Sequence, residues 1–289
     1  MLIKHYLHLI RVHHYIKNIL IFIPLFFAGN FFNPPMLYLL LIAFISFSLC
    51  SSSVYIFNDM CDLSYDLDHP QKKLRPLAAG LISKSAAIIF ATGCLTIGLS
   101  LMFSLSSDAA FILIGYLILN IFYSVYLKRF AIIDISCIAI GFVLRLIIGS
   151  IVAHISLSKW IIIIIFLLAL FIALGKRKSD FFTIKSNKIN IRESLQGYNI
   201  LFIDSSMTII ASVVIVSYIM YFSEINSSYL YQYILGGITI PLVIIGILRY
   251  LQLINVYQTQ SSPVDIFYTD RFIQLIILFW LLCFGLLIY

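Results

Sequence analysis

Y-I-F-N-D-M-C-D-L-S-Y-D-L-D-H-P-Q-K-K-L-R-P-L-A-A-G, running from Tyr55 to Gly80, is where an apolar run gives way to aspartates and then to cations. Asn58, Asp62 and Asp66 recur every four residues, so a helix continuing out of the apolar run places their oxygens on one face, with Asp59 beside them. Carboxylates so close repel and raise one another's pKa, and a helix that also carries Asp68 therefore calls for a compensating cation. Oxygen-only ligands favour a hard ion such as Mg2+, which keeps several waters and is completed by phosphate oxygens. Pro70 is expected to end the helix, and Lys72, Lys73 and Arg75 follow in a short loop. Acid followed by base reads as a metal with a phosphate.

Outward from this stretch the chain is almost all hydrocarbon. Of 289 residues 62% are hydrophobic and 11% charged, with a mean hydropathy of +1.06, more apolar side chain than any water-soluble core can hide. The chain is expected to be an all-α, polytopic membrane protein. Its cysteines, Cys50, Cys61, Cys94, Cys137 and Cys283, have no paired spacing and read as buried small hydrophobes, with neither a disulfide framework nor a zinc site. The opening Met1 to Asn18 carries Lys4, Arg11, Lys17 and several histidines and no small-residue cleavage site, which reads as an amphipathic lead-in on the membrane surface.

Apolar runs of spanning length fall at about 18–33, 36–57, 85–105, 109–127, 131–153, 159–175, 204–222, 229–250 and 271–289, giving nine expected transmembrane helices. Under this assignment 17 of the 19 Lys and Arg residues lie on one side, leaving Arg145 inside a helix and Lys159 opposite. That side, with the N-terminus, is expected to be cytoplasmic. The net charge of +7 is then a one-sided field suited to anionic lipids and anionic substrates, and a nucleic-acid partner has little support. No linker rich in Gly, Pro or Ser interrupts residues 1–289, which read as a single domain. The second and sixth helices both run into an acidic and basic extension, a weak internal echo.

N-D-x-x-D-x-x-x-D at Asn58 to Asp66, H-P-x-K-K-x-R-P at His69 to Pro76 and Y-S-x-x-L-K-R at Tyr123 to Arg129 resemble the UbiA prenyltransferase superfamily of nine-helix intramembrane enzymes. Lys17-Asn18, F-V-L-R at Phe142 to Arg145, Trp160, G-K-R-K-S-D at Gly175 to Asp180 and Arg249-Tyr250 are most similar to the branch that transfers phosphoribosyl to polyprenyl phosphate. The resemblance implies a Mg2+-dependent enzyme with a cytoplasm-facing active site in a bacterial inner membrane. Its partners would be phosphoribosyl diphosphate, polyprenyl phosphate and membrane lipid, and a homo-oligomer is compatible with it. It further implies metal contacts from Asn58, Asp59, Asp62, Asp66 and Asp180, catalytic roles for Asp59, Asp62, Asp66 and Arg145, and substrate contacts from Lys17, Asn58, Lys72, Lys73, Arg75, Tyr123, Lys128, Arg129, Lys176 and Arg177. In loop 6/7 the chain departs from the aromatic-acceptor enzymes, whose second aspartate-rich motif is represented by Asp180 alone.

A pocket that holds an isoprenoid diphosphate through Mg2+ can equally hold the diphosphate of phosphoribosyl diphosphate, since metal and lysines recognise the shared group. The isoprenoid then becomes the acceptor, and the abundant cations meet two more phosphates. Its phosphate is already an anion, so no general base is required. Arg145, about three turns into an apolar helix, is expected to face an anion or a buried acid such as Asp134. Two alternatives remain: an aromatic or quinone-type prenyltransferase with a prenyl diphosphate donor, and a transporter or flippase of polyprenyl-linked sugars. The crowding of ionisable residues at one surface disfavours the transporter, whose ionisable groups belong near the bilayer midplane.

Overall fold

The computed structural model describes residues 2–68, 72–187, 193–224, 230–257, 266 and 268–289, and among these every regular element is helical. Pro70, expected to end the helix after Asp66, and the basic residues Lys188 and Arg192 lie outside the described residues. Eight helices are long and apolar enough to cross a membrane, and the first expected span is a shorter apolar helix, Val12–Phe27. That segment is a 3-10 helix, Val12–Phe22, running into the one-turn α2, Ile23–Phe27, after the short α1, Leu2–Leu9. By its internal contacts the chain divides into two compact units.

The first unit comprises Met1–Lys128 and Gly141–Leu157, and its central element is α3, Pro34–Cys61. Asn33 starts α3 by accepting a hydrogen bond from the Met36 amide, with Pro34 and Pro35 in the first turn, where a missing N–H costs nothing. One stripe of α3 is built of small residues, and helix α5, Lys84–Leu105, packs there so closely that a Cβ on Gly98 would meet Cys50 Sγ at 2.6 Å. Ser46 Oγ donates to the Gly98 carbonyl across this contact at 2.7 Å. Small residues and hydroxyls are what hold helices together where lipid removes the usual hydrophobic drive. Ser106 caps α6, Ser107–Val125, and the second half of α7, Ile133–Ala153, completes the unit over a core of Leu25, Phe47, Leu113, Tyr116 and Ile148.

A second stripe of α3 carries the lead-in. Asp59, Tyr55, Ser52 and Ser48 recur at helical spacing, and each meets the segment 10–18: Arg11 pairs with Asp59 and lies over Tyr55, Tyr15 bonds Ser52 at 2.8 Å, and Asn18 donates to Ser48 at 2.9 Å. Beyond it a Cβ on Gly149 of α7 would run into the Ile21 carbonyl. Helix α3 is not continuous through the motif, as the spacing had suggested. It stops at Cys61, Asp62 takes the C-cap position, and a separate short helix α4, Leu63–Asp68, carries Asp66.

The second unit comprises Arg129–Ile140 and Ser158–Tyr289. It contains the start of α7, then α8 (Lys159–Asn187), α9 (Ile200–Glu224), α10 (Leu230–Asn255) and α11 (Arg271–Ile288). Phe171, Leu174, Met207, Tyr250 and Ile254 form its core. Asp270 caps α11 by accepting from the Ile273 amide, and its ion pair with Arg249 at 2.7 Å holds its carboxyl below the usual range. Cysteines 50, 94 and 137 are buried as expected, whereas Cys61 is exposed, because it sits in the last turn of α3.

Gly149→Val should destabilise the protein by about 1–3 kcal/mol, since a branched side chain has no room against Ile21. Thermal unfolding in detergent checks this, and a melting curve superimposable on wild type would contradict the close packing.

Candidate active site

The first unit gathers its charges at the end of α3. Asp59 is 2% exposed and Asp66 1% exposed, depths at which a carboxylate survives as an anion only beside a cation. Arg75 supplies one for both: its Nη1 lies 3.0 Å from Asp59 Oδ1 and 2.5 Å from Asp66 Oδ2. Arg11 Nη2 reaches the same Asp59 oxygen from the lead-in. Lys128 Nζ lies 2.5 Å from Asp62 Oδ1, and Asn58 Nδ2 donates to Asp62 Oδ2 at 3.0 Å. Of the residues expected to form the site, Asp59, Asp66 and Arg75 are thus brought together in one group, and Asn58, Asp62 and Lys128 in a second at the same end of α3. Lys72 and Lys73 are exposed on a 3-10 turn, Lys72–Leu74, just before Arg75, and Tyr123 lies half-buried near the end of α6.

The fold family implies a divalent cation, and the residues fit one. Asp66 Oδ1 is buried without a hydrogen-bond partner, an oxygen left over after Arg75 has been satisfied. Among the described residues no group of three or more His, Cys, Asp or Glu side chains converges into a cage.

Arg145 occupies a different environment from the one expected. It is 4% exposed and pairs with no acid among the described residues: Nε donates to Asn18 Oδ1 at 2.8 Å, Nη1 to the Gly141 carbonyl at 2.6 Å and Nη2 to the Tyr116 hydroxyl at 3.2 Å. Its charge rests on the rings of Phe47 at 4.5 Å, Tyr116 at 5.0 Å and Phe142 at 5.7 Å. Asn18, unremarked in the sequence except beside Lys17, joins Arg145 to Ser48, and so Arg145 fixes the residue next to Lys17.

In the second unit the cation on Asp134 is Arg177. Arg177 Nε and Nη2 both contact Asp134 Oδ2 at 2.8 Å, and Arg177 Nη1 contacts Asp180 Oδ2 at 3.1 Å. Tyr198 donates to Asp134 Oδ1 at 2.7 Å and accepts from the Ile132 amide at 2.6 Å. Ile132 has φ 68°, a left-handed conformation unusual for a branched residue, and the Tyr198 bond pins it. Burial raises the Tyr198 hydroxyl pKa, and the neighbouring Asp134 anion raises it further. Arg177, expected to bind substrate, is paired with Asp134, and the two side chains are 2% and 0% exposed. Lys176 and Arg129 are exposed, and Asp180 keeps 35% of its side chain accessible. Lys178, buried one residue on, is paired with Asp204 and Asn255.

Two contributors to these clusters carried no local signal. Arg11 had appeared only among the charges that set orientation, and it lies 48 residues from Asp59; Tyr198 lies 64 from Asp134. Only the folded chain pairs them.

Residues 19–276 match the UbiA prenyltransferase family, and the chain belongs to that family. It is 28% identical over 284 residues to the decaprenyl-phosphate phosphoribosyltransferase of Corynebacterium glutamicum, covering 97% of this chain and 85% of that protein. The enzyme of the same name from Mycolicibacterium smegmatis is 30% identical over 254 residues, covering 86% of this chain and 80% of its own. Among solved structures, a UbiA homolog from Archaeoglobus fulgidus bound to DMAPP and Mg2+ has the same fold, with a TM-score of 0.71 at 17% identity over 98% of each chain.

Asp134→Ala should leave Arg177 buried without its carboxylate and cost about 3–5 kcal/mol of stability. Thermal unfolding in detergent measures this, with Asp134→Asn expected to fall between the two; an unshifted Asp134→Ala transition would rule the ion pair out as a support.

Proposed function

We propose that this member of the UbiA family transfers the 5-phosphoribosyl group of phosphoribosyl diphosphate to a polyprenyl phosphate, releasing diphosphate, as a step toward cell-envelope polysaccharide precursors. In this reading the whole chain is one catalytic domain in a bacterial inner membrane, with the end of α3 and the N-terminus at the cytoplasmic face. The observation that carries it is the interleaving of Asp59, Asp62 and Asp66 with Arg75 and Lys128 at a membrane boundary, in a chain whose near-full-length relatives bear the phosphoribosyltransferase name.

The chemistry follows from the residues. Asp62 and Asp66, with Asp59 and Asn58, would hold Mg2+, which neutralises charge on the departing diphosphate. Lys128 and Arg75, beside the carboxylates, and Lys72 and Lys73 on the adjacent turn are placed to bind the phosphate oxygens of the donor. An oxygen of the lipid phosphate attacks C1 of the ribose, the bond from C1 to the diphosphate oxygen breaks, and the electron pair leaves with diphosphate. The nucleophile is an anion, so no protein base has to take a proton. Asp180, Tyr123, Arg129 and Lys176 remain proposed contacts, with Asp180 a second metal ligand. Arg177 would act indirectly, by holding Asp134 and Asp180.

The test is purified protein in detergent with Mg2+, labelled phosphoribosyl diphosphate and polyprenyl phosphate, against a parallel reaction with prenyl diphosphate and 4-hydroxybenzoate. Label should move to the lipid in the first and nothing should form in the second. Asp62→Asn and Asp66→Asn should each abolish turnover while the protein stays folded and membrane-inserted. The reverse pattern of products would establish the aromatic prenyltransferase, and no product in either reaction would favour transport.

Lys17 is assigned the lipid phosphate, and Arg145 positions it through Asn18. Lys17→Ala should raise KM for polyprenyl phosphate about tenfold or more, the scale of one lost charge-assisted hydrogen bond, and leave KM for phosphoribosyl diphosphate nearly unchanged. Arg145→Leu should do the same more weakly if stability permits, and Arg145→Lys should recover part of it. An effect of Lys17→Ala confined to the soluble donor would place the lipid phosphate elsewhere.

A further inference from the structure

Arg11 stands at the junction between α1 and the 3-10 segment with φ 53° and ψ 53°, a left-handed backbone that L side chains avoid. What holds it there is visible on both sides. Its guanidinium is paired with Asp59 and stacks 5.3 Å from the centre of the Tyr55 ring. Behind it, Leu9 at the end of α1 is fully buried against a cluster that includes Ile56, Leu77, Ile82 and Ala87. Asp59 Oδ1 therefore serves two guanidiniums, and the carboxylates Asp59, Asp62 and Asp66 are matched by Arg11, Arg75 and Lys128, charge for charge.

This balance has a consequence for what can enter. A divalent cation alone adds two positive charges to a neutral cluster, whereas a divalent cation arriving with a diphosphate, itself about three negative charges near neutral pH, brings a small net negative charge that a released cation can meet. The cation and Arg11 also compete for one oxygen of Asp59. Arg75 bridges two carboxylates and loses more by leaving; among the described residues Arg11 pairs with one carboxylate, Asp59, and lies over the Tyr55 ring. A guanidinium set free at this spot is a forked donor matched to phosphate oxygens.

We propose that Arg11 is an exchangeable counter-ion and a further donor-binding residue: the metal displaces it from Asp59, and the diphosphate that accompanies the metal takes it up. Metal and diphosphate are then bound cooperatively, and the coupling runs through a residue of the lead-in. The inference rests on the metal and diphosphate reading of this site given above.

The experiment uses the full-length protein in detergent, Mn2+ as probe followed by electron paramagnetic resonance, and inorganic pyrophosphate, with the Mn2+–pyrophosphate complex in buffer subtracted. Wild type should bind Mn2+ about tenfold or more tightly when pyrophosphate is present, within the usual range of coupling between sites. Arg11→Gln should bind Mn2+ alone several-fold more tightly than wild type, because its competitor is gone, and its gain from pyrophosphate should fall below about threefold. Arg11→Lys keeps the charge and loses the fork, so Mn2+ alone should bind as in wild type with a reduced pyrophosphate gain; this variant decides the matter if Arg11→Gln does not fold. Unchanged Mn2+ affinity and unchanged gain in the variants would overturn the proposal and leave Arg11 a static counter-ion. Wild type that binds no Mn2+ even with pyrophosphate would overturn the metal and diphosphate reading itself.

Discussion

A carboxylate taken out of water at the end of a membrane helix stays charged only if a cation comes with it, and the first unit is arranged to satisfy that requirement. Asp59 lies on α3 and Asp66 on α4, and both are bound by a single guanidinium, Arg75, from the chain that follows. Arg75 follows the 3-10 turn Lys72–Leu74, beside Pro76 and Leu77, which are buried. Asp62 separates α3 from α4, while its amide still bonds the Asn58 carbonyl and its carbonyl still accepts from the Asp66 amide, both at 2.9 Å.

The chain accommodates buried cations in three ways, and the differences separate reactive charge from scaffold. Arg177 is matched by Asp134 in a pair that is 2% and 0% exposed, with Tyr198 occupying the other carboxylate oxygen. A pair so enclosed can orient helices but has no opening for a ligand. Arg145 has no acid among the described residues and spreads its charge over neutral oxygens and aromatic faces, a contact worth more where water is scarce. Lys128 and Asp62 differ from both, with side chains 18% and 23% exposed. They are paired yet reachable, the condition a phosphate-binding and metal-binding pair has to meet.

Much of the fold was legible because membrane helices announce themselves by length and hydropathy, and α3, α5 and α7 fall within a few residues of the spans read from the sequence. The acidic motif was legible because its chemistry is local: four residues of spacing bring Asn58 and Asp62 into hydrogen-bond contact without any tertiary structure. Periodicity says nothing of partners. Arg75 could be guessed as a neighbour of Asp66 from a separation of nine positions, but Arg11 with Asp59 and Arg177 with Asp134 are separated by 48 and 43. Helix interruption was likewise invisible, since Asp62-Leu63-Ser64 contains neither proline nor glycine.

The lead-in ties these strands together. Its contacts run along α3 through Ser48, Ser52, Tyr55 and Asp59, positions separated by four, three and four residues, which is one face of a helix. Serines at the first two positions let the backbone lie close, and Ser52 Oγ is 3.2 Å from the Ile10 carbonyl. The far end of the strap is fixed where Asn18 meets Arg145 and Ser48, and the near end is fixed by Arg11 on Asp59. Lys17 is adjacent to the first anchor, and the carboxylate cluster contains the second. The residue proposed to meet the lipid phosphate, Lys17, and the residue proposed to yield to the metal, Arg11, therefore lie on one short piece of backbone held at both ends.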